Sequence, residues 1–123
     1  MSVSSYRDLE VWQKAMDLVV SIYSLTKSFP DSERFGLTSQ IQRAVVSIPS
    51  NIAEGHGRHG LREYLNHLSM AYGSLMEVET QIQIADRLRY AEKSQVQSLL
   101  SDTQQLGRML NGLKRSLRNK LEN

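Results

Sequence analysis

The chain has 123 residues, 40% hydrophobic and 23% charged, with a net charge of +2. That is one domain's length with apolar residues enough for one core, which excludes a disordered or fibrous chain. Two Pro and seven Gly are too few for a many-turned all-β fold, and the absence of Cys removes disulfides, thiolate zinc sites and a cysteine nucleophile.

Helical periodicity appears first from about Leu9 to Ser28, where Leu9, Trp12, Met16, Val19 and Tyr23 repeat in steps of three and four. Asp8 is the expected N-cap and Pro30 the stop. A second stripe, Val11, Ala15, Leu18, Ile22 and Leu25, widens the apolar arc of this helix to roughly 220°, about twice what a surface helix needs. The surplus points to self-association, with Val11, Leu18, Ile22 and Leu25 as the expected oligomer interface. Scattered surface apolar residues are the alternative.

The second helix carries Leu37, Ile41, Ala44, Val45, Ile48 and Ile52 and ends in the glycines Gly55 to Gly60. Pro49 inside it cannot donate to the carbonyl of Val45, so a bend is expected there. The third runs from Leu61 to about Leu88 and the fourth from about Ser94 to Lys120 with a regular leucine stripe. Short connections make successive helices antiparallel, giving an all-α, up-down-up-down four-helix bundle as a single domain over residues 1–123. No apolar run approaches the roughly eighteen residues that span a bilayer, and Met1 to Asp8 shows no leader pattern, so the expected location is cytoplasmic.

Gly55-His56-Gly57-Arg58-His59-Gly60 matches G-x-G-x-x-G, but no strand precedes it, so it reads as a helix stop with a left-handed glycine cap. Arg58, His59 and Arg62 around the start of the third helix form a possible anion site. His56, His59 and His67 lack the spacing of a metal site and read as loop or surface histidines. On the second helix Gln40, Arg43, Ser47, Asn51 and Glu54 form a polar stripe, and on the third Ser69, Gly73, Glu77 and Thr80 form its counterpart. An Arg43–Glu77 ion pair and a Ser47 hydroxyl on a carbonyl freed by Pro49 would make Arg43, Ser47, Asn51, Glu54 and Glu77 a structural polar network, a ligand site being the alternative.

Charge is uneven along the chain: residues 1–57 hold five Lys or Arg against six Asp or Glu, residues 58–123 ten against seven. Arg108, Lys114, Arg115 and Arg118 share an arc of roughly 120° on the last helix, a solvated face that could lie along phosphates. Complementing the dipole at a helix C-terminus explains the same residues without any ligand.

The segments Ser47-Ile-Pro-Ser-Asn-Ile-Ala-Glu-Gly55, Gly73-Ser-Leu-Met-Glu77-Val-Glu-Thr-Gln81 and Tyr6-Arg-Asp-Leu-Glu-Val-Trp12 together resemble the 23S rRNA intervening-sequence proteins. The resemblance implies a four-helix bundle assembling as a ring, typically a pentamer, near the accessory proteins of diversity-generating retroelements, which look like basic nucleic-acid-binding rings. It implies no enzyme activity, no catalytic residues and no cofactor. The expectation is a non-catalytic homo-oligomeric bundle that binds structured RNA or a nucleoprotein partner through its basic face, with no small-molecule substrate, metal or membrane. A protein-interaction scaffold without nucleic-acid binding is the alternative.

Overall fold

Four helices carry the chain: α1 (Glu10–Thr26), α2 (Leu37–His56), α3 (Leu61–Arg87) and α4 (Lys93–Glu122). This is a computed structural model describing residues 5–122, so Met1 to Ser4 of the leader reading and Asn123 of the domain span lie outside the described residues. Each helix packs on its two neighbours around the bundle, α1 against α2 and α4 and α3 against α2 and α4, while the diagonal pairs make no close backbone contact. The result is the all-α bundle expected from the periodicity.

The start of α1 corrects one expectation. Asp8 closes a short 3-10 turn, Tyr6–Asp8, whose first amides are served by Ser5 Oγ accepting from the Arg7 N–H at 3.2 Å. Leu9, in extended conformation, is the N-cap of α1 and offers no side-chain bond.

The two stripes of α1 also exchange roles. Val11, Leu18, Ile22 and Leu25, expected at a subunit interface, lie with Ala15 in the core at 5% exposure or less, and cannot meet another subunit. The stripe of Trp12, Met16, Val19 and Tyr23 faces outward instead, with Met16 and Tyr23 more than a third exposed. Both stripes have the same spacing, so periodicity alone ranks neither. Packing does: Ala15 and the branched aliphatic residues need no polar partners, whereas buried Trp and Tyr must satisfy an N–H or O–H.

Around this stripe the core closes with Ile41, Val45, Ile48 and Ile52 of α2, Leu68, Leu75, Val78 and Ile82 of α3, and Leu99, Leu106 and Leu110 of α4. Helix α2 runs unbroken through the buried Pro49. The hydroxyl expected to reach the carbonyl freed by the proline goes elsewhere: Ser47 Oγ donates to Ala44 O at 2.7 Å. No glycine among the described residues adopts positive φ, so the left-handed cap expected after α2 is absent. Gly55 is instead a packing position, because a Cβ there would lie 2.7 Å from Cβ of His67 and 3.3 Å from the carbonyl of Tyr64. The left-handed residue is Arg89 (φ 60), which ends α3 by directing the Tyr90 N–H to Ala85 O and its own N–H to Asp86 O.

The opposite end of the bundle is held by Glu33 and Tyr90. Glu33 Oε1 accepts from the Leu37 N–H at 3.0 Å, capping α2, and Glu33 Oε2 accepts from the Tyr90 hydroxyl at 2.8 Å. Ser28 Oγ closes the same corner by donating to Tyr90 O at 2.7 Å. The Glu33 carboxyl is held below its ordinary value, first by the Leu37 amide and then by the Tyr90 hydroxyl. A depressed carboxylate adds stability that is complete above its unfolded value and is lost as the pH falls through the folded one. Melting curves across a pH series should therefore show the native protein losing its advantage over Glu33→Gln as the pH drops through the ordinary carboxylate range and below. A constant gap between the two would contradict this account.

Candidate functional site

The polar groups between α2 and α3 repeat every seven residues on both helices. Gln40, Ser47 and Glu54 on α2 stand opposite Gln81, Ser74 and His67 on α3, in antiparallel order. Ser47 and Ser74 share a hydroxyl hydrogen bond of 2.6 Å, and His67 Nδ1 lies 3.6 Å from Glu54 Oε2. Gln40 and Gln81 line one cleft. Asn51 ties the lower layers together, with Nδ2 donating to Ser47 O at 2.9 Å and Oδ1 lying 3.1 Å from His67 Nδ1. Two acceptors face that ring nitrogen, an arrangement that favours the Nδ1–H tautomer.

This seam shifts the expected pairing on α3. Ser69, Gly73, Glu77 and Thr80 are exposed, and Thr80 Oγ1 turns back to Met76 O. His67, read as a surface histidine, is a partner in the network and is 14% exposed at its side chain. The sequence signal that could have found it is the spacing of seven from Gln81 through Ser74. Arg43 and Glu77 line the same cleft of about 380 Å³ with Gln40, Ala44, Ser47 and Gln81, but the expected ion pair between them is not formed within 4.0 Å. Gln81 is buried there and its Oε1 has no hydrogen-bond partner.

The basic residues occupy one end of the bundle. α3 and α4 are antiparallel and joined by the short segment 88–92, which puts the last turns of α4 beside the first turn of α3. Arg115, Arg118 and Lys120 of α4 and Arg58, His59 and Arg62 around the start of α3 are all exposed. The two clusters expected separately therefore belong to one end, where α3 begins at an extended Gly60 with no side-chain cap on its first amides. Arg108 is exposed further along α4.

Lys114 departs from the fully solvated face expected for it. It is half-buried, with Nζ 5.6 Å from the ring centroid of Tyr72. Its ammonium is pushed below the ordinary lysine value, first by burial and then by the charge of Arg118. The open basic surface is thus the arginines and Lys120 more than Lys114.

On the α1–α2 side the outward stripe borders an apolar cleft of about 330 Å³, lined by Tyr6, Trp12, Met16, Val19, Val46, Pro49, Ser50 and Ala53. The rings of Tyr6 and Trp12 meet edge to face at 5.2 Å and form one wall. Among the described residues, no group of three or more His, Asp or Glu side chains could hold a metal ion, and no helix is long and apolar enough to cross a membrane.

Residues 7–112 match the family model of the 23S rRNA-intervening sequence protein. The chain belongs to that family. The match spans the polar seam and the apolar cleft and stops before Lys114, Arg115 and Arg118, so the basic last turns lie beyond it. Among solved structures this family member is similar to a protein of unknown function from the S23 ribosomal protein family of Bacteroides thetaiotaomicron. That likeness has a TM-score of 0.79 at 24% identity, covering 85% of this chain and 95% of the other, and it shows the shared fold. No curated protein matches the chain.

Within this family bundle Asn51 bonds both a main-chain carbonyl of its own helix and a side chain of the next. Asn51→Leu leaves the His67 N–H without its nearest acceptor in a half-buried seam, which should cost about 1–3 kcal/mol. A thermal or urea unfolding curve unchanged by the substitution would show that the seam bonds add nothing to stability.

Proposed function

We propose that the protein is a non-catalytic, self-associating helical bundle that binds the phosphates of structured RNA through its basic end. The observation that carries this reading is that Arg58, Arg62, Arg115, Arg118 and Lys120, from two stretches distant in sequence, are all exposed at the same end of the bundle. Open first-turn amides of α3 add partial positive charge at the same place. Nothing in the described residues offers a recognition helix or an exposed row of aromatic rings for stacking, so the contact is electrostatic and weakly selective for sequence.

One subunit's net charge of +2 is small, and avidity supplies what a single patch lacks. Self-association rests on the outward stripe of α1, whose Met16 and Tyr23 are 40% and 43% exposed and line clefts with Val46 of α2 at 41%, while Val20 of the same helix is 71% exposed. Copies in a ring, the pentamer implied by the resemblance, would bring several basic ends into one assembly.

Two measurements test the two halves of this reading. Light scattering at micromolar concentration should give a mass of several subunits, and a mass near 14.0 kDa would remove the self-association. Retention of structured RNA should fall steeply between about 50 and 200 mM salt. Arg115→Glu with Arg118→Glu should abolish that retention at low salt and leave the assembled mass unchanged. Undiminished binding by this double variant would make the basic residues a complement to the helix dipole, and the scaffold reading would replace the RNA-binding one.

A further inference from the structure

Phe35 is the most exposed large apolar side chain among the described residues, at 88%. Such a residue on a loose loop would be unremarked, but its turn is tightly held. The Glu33 and Arg34 N–H groups donate to Pro30 O and Asp31 O, the Gly36 N–H donates to Glu33 O at 2.9 Å, and the Leu37 N–H is bound by the Glu33 carboxylate. Gly36 admits that carboxylate, since a Cβ there would lie 2.7 Å from Glu33 Oε1. Tyr90 anchors Glu33 from the α3–α4 connection. Arg34 sets its guanidinium 5.3 Å from the Phe35 ring centroid. The chain thus fixes an aromatic ring in solvent on a rigid platform, the arrangement that lowers the ordering cost of binding.

A receptor of matching chemistry exists on the same chain. The cleft of Tyr6, Trp12, Met16, Val19, Val46, Pro49, Ser50 and Ala53 is apolar, has an aromatic wall and has room for a phenyl ring. It lies too far away for its own Phe35: the stretch of α2 from Leu37 to Pro49 separates them by about 18 Å along the helix axis.

We infer that Phe35 of one copy docks in the α1–α2 cleft of the next. The inference rests on the self-association proposed above and specifies it. Knob and cleft are different surfaces, so the contact is heterologous and head-to-tail, and each copy offers one knob and one cleft. Such a contact repeats until the rotation closes a ring or, failing closure, extends as a filament. A two-fold dimer is not its product.

The experiment uses the whole chain in three forms: unmodified, Phe35→Ser to remove the knob, and Ala53→Trp to fill the cleft. Circular dichroism and melting curves confirm folding, and sedimentation velocity over a concentration series reads assembly. Each substitution should weaken self-association roughly ten- to hundredfold, the equivalent of losing one buried aromatic contact. Since the chain has no Cys, Arg34→Cys, which keeps the knob, and Ala53→Cys proteins can be mixed with a short bifunctional maleimide. Cross-linked pairs should form between the two variants and not within either one alone. Assembly of Phe35→Ser as strong as that of the unmodified protein overturns the knob while leaving self-association standing. Loss with Phe35→Ser but not Ala53→Trp overturns the cleft as its receptor. An unmodified protein that stays monomeric up to 100 µM overturns this inference together with the reading it rests on.

Discussion

The α2–α3 seam is the constraint on which the rest of the bundle depends. Two packed helices can slide by one turn and still bury apolar side chains, so leucine and isoleucine stripes alone do not fix their register. A polar group every seventh residue does. Ser47 and Glu54 meet Ser74 and His67 in one antiparallel alignment, with Gln40 and Gln81 facing one cleft beyond them, and a shift of one turn would leave the Ser47–Ser74 and Glu54–His67 partners apart. Gly55 enforces the same alignment sterically, because only there can α2 approach the Cβ of His67 and the carbonyl of Tyr64. Once this hairpin is set, α1 and α4 have a fixed surface to close upon.

That closure decides what the outer surface displays. In a square bundle each helix buries the arc facing two neighbours, and the apolar arc of α1 is wider than that. The aliphatic stripe from Val11 to Leu25 goes inside because Ala15 lets α1 come close and no polar atom needs a partner. Trp12, Met16, Val19 and Tyr23 are left on the rim, where Tyr and Trp can keep their polar atoms wet. The same step places Pro49, which has no N–H to donate, in the wall of the cleft beside them. The outward apolar face is therefore a consequence of how the core was filled.

The architecture was legible because it rests on periodicity. The apolar residues named on α2 and the leucine stripe of α4 are buried or packed against the core. What was not legible depends on distances between helices. Val11, Leu18, Ile22 and Leu25 share their spacing with the rim stripe, and only packing against α2 and α4 separates the two. Arg43 and Glu77 lie a turn apart across an antiparallel pair, yet both face an open cleft and do not meet. His67 joined the network because the hairpin register brings it to Asn51, a fact that follows from where the chain turns between residues 57 and 60. Arg89 takes the left-handed turn usually given to glycine, and nothing in its side chain announces this.

The turn at Arg89 and the turn at Phe35 are linked through Tyr90, and this links the core to the proposed knob. Reversal at Arg89 sets Tyr90 where its hydroxyl holds Glu33 and its main-chain carbonyl takes the Ser28 hydroxyl. Glu33, held by Tyr90, caps α2 and fixes the backbone on which Phe35 stands. The α1–α2 cleft lies toward the basic end, with Tyr6 and Ala53 close to where α1 begins and α2 ends. In the proposed contact, a knob at one end and a receptor toward the other would require successive copies to be displaced along the bundle axis or tilted against each other, and closure into a ring would depend on that tilt. The basic arginines sit beyond that rim on the α3–α4 side, so contacts made along α1 and α2 leave them open to a polyanion.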